Sequence, residues 1–241
     1  MADVTAAGTQ ERCTPIVALD VSSTGEALAI VDALADACHF YKVGSELFTR
    51  EGPTVVRALR TLQREVFLDL KLHDIPNTVR RGCAAAAALG ARLVTVHGVG
   101  GEAMVRAAVE GAGPSCGVLA VTVLTSLDAP ALASSWGRRD ASIREEVLRL
   151  AGVAAAAGAH GVVCGGEELA DLRARFRTTL APLVPGIRLE GGAAHDQARV
   201  VTPARAAHDG ARYVVVGRAV TAAPDPVAAM REVRRQLAAG A

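Results

Sequence analysis

The chain has 241 residues, 51% hydrophobic and only 3% aromatic, with 26 basic and 25 acidic side chains and a net charge of +1. So even a balance excludes a broad electrostatic footprint for nucleic acid or an anionic membrane, and leaves any anion to a few placed residues. The length suits one large α/β barrel or two small domains, and a core of Ala, Val, Leu and Ile is the usual filling of a parallel sheet covered by helices.

Residues 1–14 are small and polar and are expected to form a loose N-terminal tail. From Pro15 onward, short β-branched runs alternate with Ala/Leu/Arg/Glu stretches. The runs are IVALDVS (16–22), FYKVG (40–44), VFLDLKL (66–72), LVTVHG (93–98), GVLAVTVLT (117–125), GVVCG (161–165), LVPGI (183–187) and YVVVG (213–217). They give about eight strands with helices between, the number a closed barrel requires. Ser23 and Glu26 read as a capping box opening the first helix. Thr202-Pro203 reads as a cap and first helical residue, with Gly210 closing that helix. Gly90 and Gly158 stand where helices hand over to strands. No linker or low-complexity insert interrupts the alternation, so residues 15–241 are expected to form a single (β/α)8 TIM barrel.

An open doubly wound sheet is the alternative. It calls for a Gly-rich turn after the first strand, where this chain has Val21-Ser22-Ser23-Thr24. Polar residues instead follow nearly every strand, as in a barrel whose loops jointly line one mouth. The five cysteines (Cys13, Cys38, Cys83, Cys116 and Cys164) form no CxxC pair, and the six histidines have no metal-ligand spacing. With no apolar run of about 20 residues and no signal pattern, a soluble cytoplasmic protein with reduced thiols is expected.

The most informative stretch is Phe67 to Thr78, FLDLKLHDIPNT. Asp69 and Lys71 are two apart on a strand, so both project from one face. In a barrel that face is the interior, where an unpaired charge costs several kcal/mol. From the residues alone, a reactive site and a satisfied ion pair at the barrel mouth both remain open. Pro76 cannot continue the strand, so Asp74 belongs to the outgoing loop, with Thr78 at a helix start. Lys42 adds a charge on the neighbouring strand, and Lys42, Asp69, Lys71 and Asp74 are expected to form an array of alternating sign that titrates as a unit.

Gly217-Arg218 follows the last strand, where barrels commonly bind phosphate through the last two loops and a helix N-terminus. Arg218 can pair two oxygens at once. Arg188 and Gln197 flank residues 189–196, whose glycines and small side chains suit a lid. Taken singly, Arg188 and Gln197 read as solvated loop residues, Asp20 as a cap or turn acid, and Thr125-Ser126 as a cap or turn.

The D-x-K-x-x-D pattern with its LHDIPNTV continuation resembles the signature of the orotidine 5′-monophosphate decarboxylase family. The resemblance extends over ALD (18–20), KVG-x-E-L-F (42–48), VH-x-x-GG (96–101), VTVLTS (121–126), VPGIR (184–188), DQ-x-R-V-x-TP (196–203) and VGR (216–218). It covers nearly everything from Pro15 to about Pro226, in the family's order. Val99, Gly165-Gly166 and Ala219 depart from the family's usual residues without removing a charged or phosphate-binding group.

The resemblance implies cofactor-free decarboxylation of orotidine 5′-monophosphate, with no metal. Lys71 would protonate C6 of the pyrimidine, and Asp69 would lie beside the substrate carboxylate. Lys42 and Asp74 complete the network, and Asp20 and Lys42 meet the ribose hydroxyls. Thr125 and Ser126 face the pyrimidine amide edge. Pro185, Arg188, Gln197, Gly217 and Arg218 belong to the substrate-binding set. A homodimer is implied, because in the family Asp74, Ile75 and Thr78 complete the partner's site. The nearest rivals are a metal-dependent sugar-phosphate enzyme sharing the D-x-K-x-x-D strand and a non-catalytic nucleotide sensor.

Overall fold

A computed structural model of the chain describes residues 13–137, 142–189 and 201–241. Eight parallel strands close into a barrel in sequence order. They are β1 (Thr14–Leu19), β2 (Phe40–Gly44), β3 (Glu65–Leu72), β4 (Leu93–His97), β5 (Gly117–Val121), β6 (Gly161–Val163), β7 (Ala181–Val184) and β8 (Tyr213–Val216), with β8 pairing back to β1. The outer helices are α1 (Thr24–Leu34), α2 (Ser45–Glu51), α3 (Pro53–Thr61), α4 (Pro76–Ala88), α5 (Gly101–Ala112), α6 (Ala129–Trp136), α7 (Ile143–Ala156), α8 (Leu169–Phe176), α9 (Pro203–Asp209), α10 (Arg218–Thr221) and α11 (Pro226–Ala239). The expected barrel is therefore observed. β1 begins at Thr14, inside the segment expected to be tail, and residues 1–12 and most of the expected lid lie outside the described residues.

Local chemistry sets the element ends. The Ser23 hydroxyl accepts from the Glu26 N–H at 3.2 Å, and the Glu26 carboxylate turns back to the Ser22 N–H at 3.0 Å. The capping box thus closes one residue earlier than its pattern suggests. Thr202 caps α9 through the Arg205 N–H, and Gly210 ends that helix with a φ of +102°, a conformation that favours glycine.

Several strands stop sooner than their apolar runs. β1 ends before Asp20, β5 before Thr122 and β7 before Pro185, which has no N–H for the ladder. The early endings leave Asp20, Thr125 and Pro185 on loops at the strands' C-terminal ends.

Two apolar layers hold the barrel. A large cluster, with Leu19, Tyr41, Val94, Ala120, Val162 and Val216 from the strands, packs strands against helices. A smaller one fills the interior with Ile16, Phe40, Phe67, Leu93, Leu119, Leu183 and Tyr213. Three of the chain's six Phe and Tyr residues stand in that inner layer, where a large ring fills space that Ala and Val cannot. Among the described residues, no helix is long and apolar enough to cross a membrane.

Candidate active site

A cavity of about 540 Å³ opens at the C-terminal ends of the strands, the end at which barrels of this kind place their chemistry. Its floor is the inner apolar layer, through Ala18, Phe67, Leu183 and Val215. Another hollow, of about 690 Å³, lies at the strands' N-terminal ends among Arg92, Arg173 and Arg212. Among the described residues, its lining includes no lysine and no Asp or Glu side chain.

Four charges alternate across the first three strands. The Lys42 ammonium donates to Asp20 Oδ1 at 2.8 Å and stands 3.9 Å from Asp69 Oδ2, and the Lys71 ammonium donates to that same Oδ2 at 2.9 Å. Lys42 and Asp69 side chains are only 12% and 13% exposed, so each charge depends on its neighbours for compensation. Gly44 makes room for the outer pair: a Cβ there would stand 3.0 Å from Lys42 Nζ and 3.6 Å from Asp20 Oδ1. Within one chain, the fourth member of the array is thus Asp20. Asp74 is exposed outside the cavity, and its carboxylate accepts from the Ile75 N–H at 2.6 Å.

Simple alternation along β3 does not account for Lys71. Leu68 pairs with Val94 and Leu72 with Val96, so four steps along β3 match two along β4. The extra residues form a bulge, and Lys71 adopts a φ of +51°. A non-glycine residue in the left-handed region costs of the order of 1 kcal/mol or more and is held only where its surroundings over-determine it. The surroundings here include Thr95. Its hydroxyl accepts from the Lys71 N–H at 2.9 Å and donates to Asp69 Oδ1 at 2.9 Å.

Thr95 was not among the residues singled out from the sequence. A threonine in a β-branched run reads as an ordinary strand former, and only the facing strand reveals its partners. The apolar wall from Val121, Val123, Leu124 and Val163 was missed for the same reason.

The other expected residues divide into two groups. Thr125 and Pro185 line the cavity, as do Arg188, Gly217 and Arg218. Arg188 donates from a terminal nitrogen to the Ile187 carbonyl, while its buried Nε has no partner among the described residues. Among the described residues, nothing lies within 4 Å of where a Gly217 Cβ would stand, which leaves room for a ligand beside it. Ser126, Ile75 and Thr78 are exposed and do not line the cavity. Gln197 and residues 190–196 lie outside the described residues.

His73 and His97 face each other at the rim, ring centres 5.7 Å apart. Burial holds the His97 pKa below the usual histidine value; His73 and the Lys71 ammonium add to the effect and Asp69 opposes it. The charged form of the imidazole is thereby disfavoured beside the array. Among the described residues, no group of three or more His, Cys, Asp or Glu side chains is placed to hold a metal ion.

A sequence profile of the Orotidine 5'-phosphate decarboxylase / HUMPS family matches residues 14–233. The chain belongs to that family. An orotidine 5'-phosphate decarboxylase from Anaeromyxobacter sp. (strain K) is 52% identical over 218 residues, 90% of this chain and 94% of the relative. One from Halorhodospira halophila is 47% identical over 227 residues, 93% and 95% of the two chains. Among solved structures, the Lactobacillus acidophilus orotidine 5'-phosphate decarboxylase superposes with a TM-score of 0.83 at 36% identity, over 94% of this chain and 99% of that one. Within the family's barrel, the charged array, Arg188 and Arg218 line one cavity.

Proposed function

We infer that the protein decarboxylates orotidine 5′-monophosphate to uridine 5′-monophosphate and carbon dioxide, as a lyase of pyrimidine biosynthesis. The observation that carries this reading is the alternating Asp20–Lys42–Asp69–Lys71 chain in a cavity that Arg188 and Arg218 also line.

In the proposed mechanism the phosphate is taken by Arg218, the Gly217 backbone, Arg188 and Gln197. Asp20 and Lys42 receive the ribose hydroxyls, and Thr125 and Ser126 the pyrimidine amide edge beside Pro185. These contacts hold parts of the substrate that do not react, and their binding energy can drive closure at the distant carboxylate. The bond from C6 to the carboxylate breaks, carbon dioxide departs, and the electron pair stays on C6. The Lys71 ammonium, already oriented by Asp69, stabilises that developing charge and then transfers its proton to C6. Solvent reprotonates Lys71 after release. No step uses a cofactor.

The site is completed across a homodimer, in which Asp74, Ile75 and Thr78 of each chain enter the partner's cavity. Their exposure in the single chain supports this: Ile75 is 66% exposed and Val99, on the neighbouring loop, 40%, so apolar surface stands uncovered around the mouth. The barrel from Thr14 onward is one catalytic domain, and the protein works in the cytoplasm.

The deciding experiment follows the absorbance of orotidine 5′-monophosphate with purified protein in chelator-treated buffer. Turnover is expected to be unchanged by the chelator. Its loss would point to a metal-dependent sugar-phosphate enzyme, and tight uridine 5′-monophosphate binding without turnover to a sensor. Arg218→Ala is expected to lower kcat/KM by about 10- to 100-fold, mainly through KM, because one charge-assisted phosphate contact is lost. Unaltered kinetics would remove Arg218 from the site.

A further inference from the structure

We propose that Thr95 is a positioning residue of the reaction: its one hydroxyl sets both the carboxylate of Asp69 and the backbone bulge that presents Lys71. The inference rests on the assignment of Asp69 and Lys71 to the reacting centre.

Thr95 is completely buried on β4, two residues before His97. A buried hydroxyl must satisfy its hydrogen-bonding capacity inside the protein. The direction of its two bonds follows from chemistry alone. The Lys71 N–H can only donate, so the threonine oxygen accepts from it at 2.9 Å. The single hydroxyl proton is then free for Asp69 Oδ1, also at 2.9 Å.

Each bond removes a freedom that the site cannot tolerate. A carboxylate turns readily about its last torsion. With Oδ1 tied to Thr95, Oδ2 is kept toward the two ammonium groups, 2.9 Å from Lys71 and 3.9 Å from Lys42. The second bond acts on the backbone. In the bulge, the Lys71 N–H takes the threonine side chain as its acceptor, and the residue holds a φ of +51° that lysine rarely adopts. Thr95 therefore fixes both ends of the Asp69–Lys71 pair while lining no part of the cavity itself.

The test compares Thr95→Val, which keeps the shape and removes the hydroxyl, with Thr95→Ser, which keeps the hydroxyl. For Thr95→Val, kcat is expected to fall about 10- to 100-fold, the worth of a hydrogen bond to a charged group, with KM and uridine 5′-monophosphate affinity within about twofold of wild type. Amide exchange at Lys71 should quicken in the same variant. Thr95→Ser should restore most of kcat and the slow exchange. Wild-type kcat in Thr95→Val, a loss confined to KM, or an equal loss in Thr95→Ser would each overturn the proposal. Should Thr95→Val fail to fold, the same comparison is made between Thr95→Ala and Thr95→Ser, and equal kcat in those two overturns it. Lys71→Ala separates the two levels: activity in that variant would overturn the site assignment itself, whereas a dead Lys71→Ala beside a fully active Thr95→Val removes Thr95 alone.

Discussion

Lys71→Ala is expected to lower turnover of orotidine 5′-monophosphate by at least about 10⁴-fold, because in the proposed mechanism one side chain supplies both the electrostatic stabilisation of the C6 carbanion and its proton. The fold should survive. Lys71 lies at the mouth with its side chain 36% exposed, and beneath it the apolar layer of Phe67, Leu93 and Leu119 is untouched. Removing the ammonium leaves Asp69 with Lys42 at 3.9 Å and the Thr95 hydroxyl at 2.9 Å, so the carboxylate is not orphaned. Circular dichroism, thermal denaturation and uridine 5′-monophosphate binding should therefore stay near wild type while kcat collapses. A variant that turns over at the native rate would end the assignment of Lys71 as the acid.

Asp74→Ala carries the second large effect, expected as a loss of activity that a different inactive chain can repair. Asp74 points out of its own cavity and bonds its own neighbour's N–H. If it works in the partner's site, mixing two dead variants, Lys71→Ala and Asp74→Ala, restores activity. Random exchange makes roughly half of the dimers mixed, and each mixed dimer has one site with both native groups, so about a quarter of wild-type activity should return. Subunit exchange under mild denaturant, followed by the absorbance assay, gives the measurement. No recovery would place Asp74 in its own chain's site or outside catalysis. The solution mass of the native protein provides the independent check: a monomer under assay conditions would rule out the shared site.

The charges were legible because the barrel makes them conspicuous. In strands otherwise made of Val, Leu and Phe, Lys42, Asp69 and Lys71 have no reason to face an interior unless they face one another. Their mutual distances bear this out. Gly217 and Arg218 were legible for a different reason: they follow the last strand, and the barrel's topology brings that position to the mouth. Gln197 and most of the expected lid fall outside the described residues and stay as the sequence left them.

By itself, then, the sequence determined the alternation of strand and helix, the closed eight-stranded architecture and the identity of the charged side chains, because periodicity and composition are local properties. Tertiary structure alone decided which oxygen meets which nitrogen. The pairing of β3 with β4 creates the bulge at Lys71 and brings Thr95 between two groups 24 and 26 residues away. It also substituted Asp20 for Asp74 in the single chain's array. Contacts of that kind depend on register between strands, a long-range property that a residue's own neighbours in the chain do not encode.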